Sequence, residues 1–314
     1  MVRVVSDRMK FAVRVVVTLV IFVLIFRGID IRQVARVAAG ADPGLLAAAI
    51  LLIFLGTSLA AYRWSLIMNN LGLERSAAAY WQIYLKGMFF NQGLPTSVGG
   101  DAIRVLDAAG RRYSKLEALY GVMLDRIAGV TALLTLNLLA YAAAPEMLPE
   151  WVRYVVFALA VGLVAAFVAG LNLRHFRWLD RWPRLTVLRT LSERFHQAFS
   201  KRRTALVVSS LVVHVFAILC VWAIGRSLGL SVDVLTYFIL VPPAMLFTVI
   251  PISLAGWGVR EGAMVALFSF VGADKERVLA MSILYGLILI IVSLVGLVLF
   301  LRGRRPSADA PRPD

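Results

Sequence analysis

The 314-residue chain has a single cysteine, Cys220, and three histidines, His175, His196 and His214. One thiol excludes an internal disulfide framework and any site built from several thiolates. The histidines follow no metal-ligand spacing, so neither a metal nor another cofactor is expected. Charge is also scarce: only 16% of the residues are charged, against about 25% in soluble domains. Too little polar sequence remains to coat a water-soluble globule. Catalytic signatures are missing as well. There is no G-x-S-x-G, Walker loop, H-E-x-x-H or C-x-x-C, and the expectation is a protein that is not an enzyme. Without an ATP-binding motif, any transport it performs is expected to run downhill or on an ion gradient.

What the chain does have is apolar residues, 61% of the total, and an excess of positive charge, +15. Runs of about 20 apolar residues cross the hydrocarbon core of a bilayer. Six segments qualify: 11–27, 44–67, 117–143, 151–171, 205–228 and 278–301. The first follows Arg3, Arg8 and Lys10 like a signal peptide, but no convincing cleavage site follows it, so it reads as a retained span. Two further apolar segments are interrupted. Residues 80–106 are broken by Gly93, Pro95, Gly99 and Gly100, and residues 234–272 by Pro242, Pro243, Pro251, Gly256 and Gly258. Proline removes a backbone donor and glycine weakens a helix, so neither segment is expected to be one straight helix.

The basic residues cluster in 104–115, in 172–204 and in the tail, whereas the turns at 144–150 and near Asp233 are acidic. The positive-inside rule then puts both termini and the basic loops in the cytoplasm. Arg27, Arg32 and Arg36, on the opposite side, dissent. Counting crossings with this orientation makes both broken segments re-entrant hairpins, entering from opposite faces. Irregular backbone at membrane depth must be buried in protein or line a wet cavity. The expected fold is therefore an all-α polytopic membrane protein, a single domain over 1–301 with six spans and two re-entrant hairpins. The tail 302–314, rich in Pro and Arg, is expected to be disordered. In 172–204, Leu185, Leu188, Leu191, Phe195 and Phe199 recur at helical spacing between arginines, after Trp178 and Trp182. This predicts an interfacial amphipathic helix that touches anionic headgroups. The positive charge is assigned to the membrane surface and not to nucleic acid.

The two hairpins share a string. Residues 94–104 read LPTSVGGDAIR and residues 250–260 read IPISLAGWGVR. Pro95 matches Pro251, Ser97 matches Ser253, Gly100 matches Gly256, and Arg104 matches Arg260. Broken segments at matching positions of an inverted repeat are the best sequence pointer to a transport site. A Pro–Ser–small–Gly break exposes backbone groups at a half-helix N-terminus, where a polar or anionic group can bind. Ionisable residues at membrane depth are costly and are functional candidates by default. They are Lys86, Asp101, Arg104, Asp125, Arg126, Arg260 and Glu261. Arg104 and Arg260 suit bidentate contact with a phosphate. Asp101 and Arg104 share a helix face, and Asp125 or Arg126 is expected to meet the Gly99–Arg104 hairpin. The competing reading is that these charges only neutralise one another and hold the hairpins to the bundle. Lys86, Arg14 and Arg63 are also read as snorkelling to the interface. Asp30 and Asp42 can be imagined as a metal-binding dyad, but ordinary loop residues explain them better.

Three stretches together, FFNQGLPTSVGGDAIRV (89–105), LDRIAGV (124–130) and IPISLAGWGVREGA (250–263), resemble the lysylphosphatidylglycerol synthase transmembrane-region family, also called the flippase-like domain family. The resemblance extends over about 11–301. It implies an inner-membrane protein with re-entrant segments that translocates an aminoacyl-phospholipid, or one that stands near polyprenyl-phosphate sugar pathways. The family's motif positions fall on Asn91, Pro95, Gly99, Gly100, Asp101, Arg104, Asp125, Arg126, Pro251, Gly256, Arg260 and Glu261. The chain shows no soluble aminoacyl-transferase domain of the kind that follows this region in the synthases, so it is not expected to make the lipid itself. The leading expectation is a flippase or scramblase-like translocase of a phosphate-bearing lipid in the inner membrane of a bacterium. The substrate site would use Arg104, Arg260, Asn91, Ser97, Gly99, Gly100, Asp101, Asp125, Arg126, Ser253, Gly256 and Glu261, with Pro95 and Pro251 as hinges. Two alternatives stand beside it. One is a membrane-embedded transferase acting on a polyprenyl-phosphate carrier. The other is a non-transporting membrane partner of a lipid or glycan biosynthetic complex; the partners expected besides lipid are a second copy of the chain or a biosynthetic enzyme.

Overall fold

The computed structural model describes residues 29–93, 99–144, 150–172, 186–248 and 255–303, together with Val15, Val16, Leu19, Val23, Ile25, Glu146 and Ser253. Among the described residues the chain is helical, with no strand. The elements are α1 (Ile31–Ala39), α2 (Pro43–Asn70), α3 (Ala77–Gly93), α4 (Gly99–Ala109), α5 (Lys115–Ala143), α6 (Glu150–Asn172), α7 (Thr186–Ala198), α8 (Arg203–Ser227), α9 (Val234–Phe247), α10 (Val259–Ser269) and α11 (Lys275–Gly303).

Local signals set many of the helix starts. Asp30 accepts from the N–H groups of Arg32 and Gln33, and Asp42 from that of Leu45, with Pro43 opening α2. Both aspartates thus cap helices, which accounts for them without a metal. Ser114, Asp233 and Asp274 do the same for α5, α9 and α11. Each satisfies a backbone donor that a helix N-terminus leaves open.

Four helices are long and apolar enough to cross a membrane: Pro43–Asn70, Lys115–Ala143, Arg203–Ser227 and Lys275–Arg302. At 25 to 29 residues, each exceeds the roughly 30 Å hydrocarbon core at about 1.5 Å per residue. The fourth expected span, 151–171, lies within the 23-residue α6. The first, 11–27, lies mainly outside the described residues, although its described members are helical. Large apolar side chains such as Leu51, Leu139, Phe157 and Ile291 face outward, as they do when lipid replaces water as solvent. This is a multi-pass membrane protein.

The two broken segments appear as α3–α4 and α9–α10. Each is a pair of short helices packed on one another, and each packs on α11 or α5. Gly296 of α11 has no side chain where the Leu85 carbonyl of α3 passes, so the two backbones run in contact. Pro242 and Pro243 lie inside α9. A helical proline leaves the carbonyl four residues earlier without its donor, here those of Phe238 and Ile239. Both accept from the Asn137 side-chain amide of α5, at 3.0 and 2.8 Å.

Within the stretch expected to be amphipathic lies α7, whose apolar residue Phe195 packs on other helices. Phe195 is buried against Phe167 and Phe199, and Ser192 donates to the Gly170 carbonyl of α6 at 2.6 Å. Arg194 pairs with Glu117 of α5 at 2.5 Å, and Asn70 of α2 donates to the Ala198 carbonyl at 2.7 Å. Protein covers Phe195 and Ala198 of this helix. Leu185, Trp178, Trp182 and the tail from 304 onward lie outside the described residues.

Candidate functional site

Arg104 sits in the second turn of α4. Its guanidinium lies over the rings of Trp64 and Tyr84, 4.3 and 4.4 Å from their centroids. Nη2 donates to Asp125 Oδ2 of α5 at 2.7 Å and Nη1 to Asp101 Oδ1 at 3.3 Å. Asp125 Oδ1 accepts in turn from Arg63 Nε of α2 at 2.9 Å. Asp101 Oδ2 accepts from Arg126 Nε at 2.8 Å. The result is an alternating chain, Arg63–Asp125–Arg104–Asp101–Arg126. Three guanidiniums face two carboxylates, which leaves one positive charge. Burial grades along it. The side chains of Arg63, Asp125 and Arg104 are at most 5% exposed, whereas that of Arg126 is 50% exposed. Asp125 or Arg126 was expected to meet this hairpin; both do, Asp125 at Arg104 and Arg126 at Asp101. Buried ions are tolerated when paired and hydrogen-bonded in this way.

Two glycines and an amide hold this hairpin shut. The Gly100 N–H donates to Asn91 Oδ1 at 2.9 Å, so α3 caps the start of α4. A methyl group on Gly100 would meet the Gly87 carbonyl and the Asn91 side chain. One on Gly87 would lie 2.6 Å from Arg104 Cγ. Only glycines let the half-helices cross closely enough for Arg104 to reach across.

The second hairpin is built differently. Ala255, Gly256 and Gly258 have φ of 47°, 81° and 83° and turn the chain into α10. Glu261, fully buried, accepts from the Gly258 N–H at 2.6 Å and from Arg260 Nη2 at 2.6 Å. Arg260 Nε also donates to Ser282 Oγ of α11 at 3.2 Å. The Arg260 guanidinium lies 4.8 and 5.5 Å from the ring centroids of Trp257 and Tyr285. Gly286 lacks a side chain where Trp257 and Arg260 pass. Ser253 is buried, and its hydroxyl has no partner among the described residues.

Between the hairpins lies a cavity of about 410 Å³. One part of its lining is polar: Arg63, Asn91, Arg104, Asp125, Arg126 and His214. Another is apolar: Leu133, Val213, Ile218, Val241, Met245 and Leu289. The sequence-predicted residues divide accordingly. Asn91, Arg104, Asp125 and Arg126 line the cavity, and Asp101 is one ion pair behind it. Gly99 opens α4, and Gly100 marks the hairpin crossing. Arg260, Glu261, Ser253 and Gly256 do not line the cavity, although Tyr285, on which Arg260 packs, does. Pro95, Ser97 and Pro251 lie outside the described residues.

The expectation that Arg63 snorkels does not hold. It is buried two turns inside the end of α2 and salt-bridged to Asp125 at 2.8 Å. Lys86 pairs with Asp107 at 3.2 Å. Sequence reasoning also missed Trp64, Tyr84 and Tyr285, which packing requires as arginine platforms. The His214 ring borders the cavity, and its Nε2 has no hydrogen-bond partner among the described residues. Among the described residues no three His, Cys, Asp or Glu side chains group to hold a metal ion.

The family model for the lysylphosphatidylglycerol synthase TM region matches residues 11–296 of the 314. No curated protein matches the chain significantly. A helical membrane bundle, two broken helices at matching motifs, and a match over most of the length lead to one conclusion: the chain belongs to the lysylphosphatidylglycerol synthase TM region family.

Proposed function

We propose that this protein moves a phosphate-bearing lipid between the leaflets of the bacterial cell membrane, with both termini in the cytoplasm. The observation that carries this reading is the cavity between the hairpins, cationic on one part of its lining and apolar on another. An ion needs one, and a lipid brings both a charged headgroup and chains that need the other. Aminoacyl-phospholipids and polyprenyl-phosphate lipids both fit the chemistry.

Arg126 is the residue that receives the headgroup. It is half exposed, lines the cavity, and already holds a carboxylate through two nitrogens. Both nitrogens meet the single oxygen Asp101 Oδ2; a phosphate oxygen can take its place, and a second one can complete a bidentate contact. Arg63, Asp125 and Arg104 form the buried base that keeps the positive charge in place. Ring stacking and two carboxylates hold Arg104 still. Asp101, once released, remains beside Arg104 in the first turn of α4, where a carboxylate is stabilised by the helix dipole. Arg260 supports the opposite hairpin through Glu261 and Tyr285 instead of touching the lipid phosphate.

The test is headgroup-resolved lipid translocation in proteoliposomes. Arg126→Ala is expected to slow translocation about 10- to 100-fold, the worth of a charge-assisted hydrogen bond. Arg126→Lys should recover part of the rate, because charge returns without bidentate geometry. Wild-type rates in folded Arg126→Ala would overturn the assignment. No translocation of any lipid by the pure protein would favour the non-transporting partner.

A further inference from the structure

A second cavity, of about 480 Å³, lies away from the first and shares no lining residue with it. It runs along α5 at Ala128, Ala132 and Thr135 and along α8 at Leu206, Val207 and Leu211. Its volume falls within the roughly 300–1,000 Å³ of ligand pockets. Val207, on its lining, is 57% exposed, so the groove opens to the outside of the bundle. Both walls are spans that cross the membrane, so that outside is lipid. Phe167 and Phe199 close the end nearest α7.

Charge marks that same end. Arg203 lines the groove, and Lys201 and Arg202 precede it directly. All three are exposed, and none forms an ion pair among the described residues. The nearby acid, Glu117, is taken by Arg194. Cations stacked at the end of an apolar, lipid-facing groove match one occupant: a phospholipid with a net negative headgroup, its acyl chain between α5 and α8 and its phosphate on Arg203.

We infer that this groove is a binding site for an anionic phospholipid that is held and not transported. The lipid wedges α5 against α8, the two spans that also border the central cavity, and it does so whichever lipid the central cavity moves. The site also gives α7 a role. By packing Phe195 and Ala198 on protein, α7 fixes the turn that carries Lys201 and Arg202.

Native mass spectrometry of the full chain, released from nanodiscs holding phosphatidylglycerol and phosphatidylcholine in equal amounts, tests this. Phosphatidylglycerol should be retained in preference. Arg203→Gln should lower its retention about fivefold, the worth of one interfacial cation. Leu211→Trp, which fills the groove, should abolish the Arg203-dependent part of the retention, and Val207→Trp gives a second filling variant should Leu211→Trp not fold. Arg126→Ala should leave the Arg203-dependent part of the retention unchanged, because Arg126 lines the other cavity. Equal retention of both lipids by wild type would overturn the inference. So would wild-type retention by Arg203→Gln together with a filled groove, or a loss confined to Arg126→Ala, which would put the lipid in the central cavity.

Discussion

The two broken segments carry the same string and place an arginine at the same position, yet they spend that arginine in opposite ways. In α9–α10 the counterion is the next residue, Glu261, which also caps its own helix. The pair is closed, buried and neutral. In α3–α4 the cap is supplied by an uncharged amide, Asn91, on the other half-helix. That leaves Asp101 and Arg104 free to reach α5, and the charge continues through Asp125 to Arg63 and through Asp101 to Arg126. What a hairpin uses as its cap thus decides whether its charges stay local or spread to a cavity. One hairpin keeps its ion pair closed, and the other carries its charges to the cavity.

This contrast can be broken by experiment. The largest effect is expected from Asp125→Ala, which strands two buried arginines. Removing one member of a buried ion pair costs about 3–5 kcal/mol, and thermal unfolding in detergent should show it. Asn137→Leu comes next. It leaves the Phe238 and Ile239 carbonyls of α9 without a donor, at about 1–3 kcal/mol for each, and hydrogen exchange should rise in α9 before it rises in α4. Gly100→Ala should cost about 1–3 kcal/mol by overpacking against Gly87 and should lower translocation by displacing Arg104. The smallest effect is expected from the double variant Arg260→Met with Glu261→Gln. Glutamine keeps the cap on Gly258, and replacing a buried pair by matched neutral groups is often neutral in stability. Translocation should then stay near wild type. A large loss of transport there, without a loss of stability, would mean that the second hairpin also handles charge and that the comparison fails.

The sequence made the hairpins legible because proline and glycine punctuate an apolar run wherever they fall. That Asp125 or Arg126 would meet the first hairpin was legible because few charges at membrane depth exist to pair, but which carboxylate meets which guanidinium was not. Arg63 was misread for the same kind of reason. An arginine two turns from a span end can reach the interface, and only the position of Asp125, 62 residues away in sequence, decides that it does not. In α7 the periodicity singles out Phe195 but is blind to Phe167 and Phe199, on which it packs. The difference in capping between the two hairpins could not be read from the shared string, since Asn91 lies outside it and Glu261 follows it.

Asn137 has a consequence for motion. A double proline inside a membrane helix is ordinarily where such a helix flexes, because its ladder is already cut there. Here one amide from α5 spans the cut and mends both missing rungs. The most suggestive bend in the sequence is therefore splinted, and α9 travels with α5 as one rigid arm. Whatever pivot the second hairpin has belongs at its other end, beside the positive-φ residues Ala255, Gly256 and Gly258.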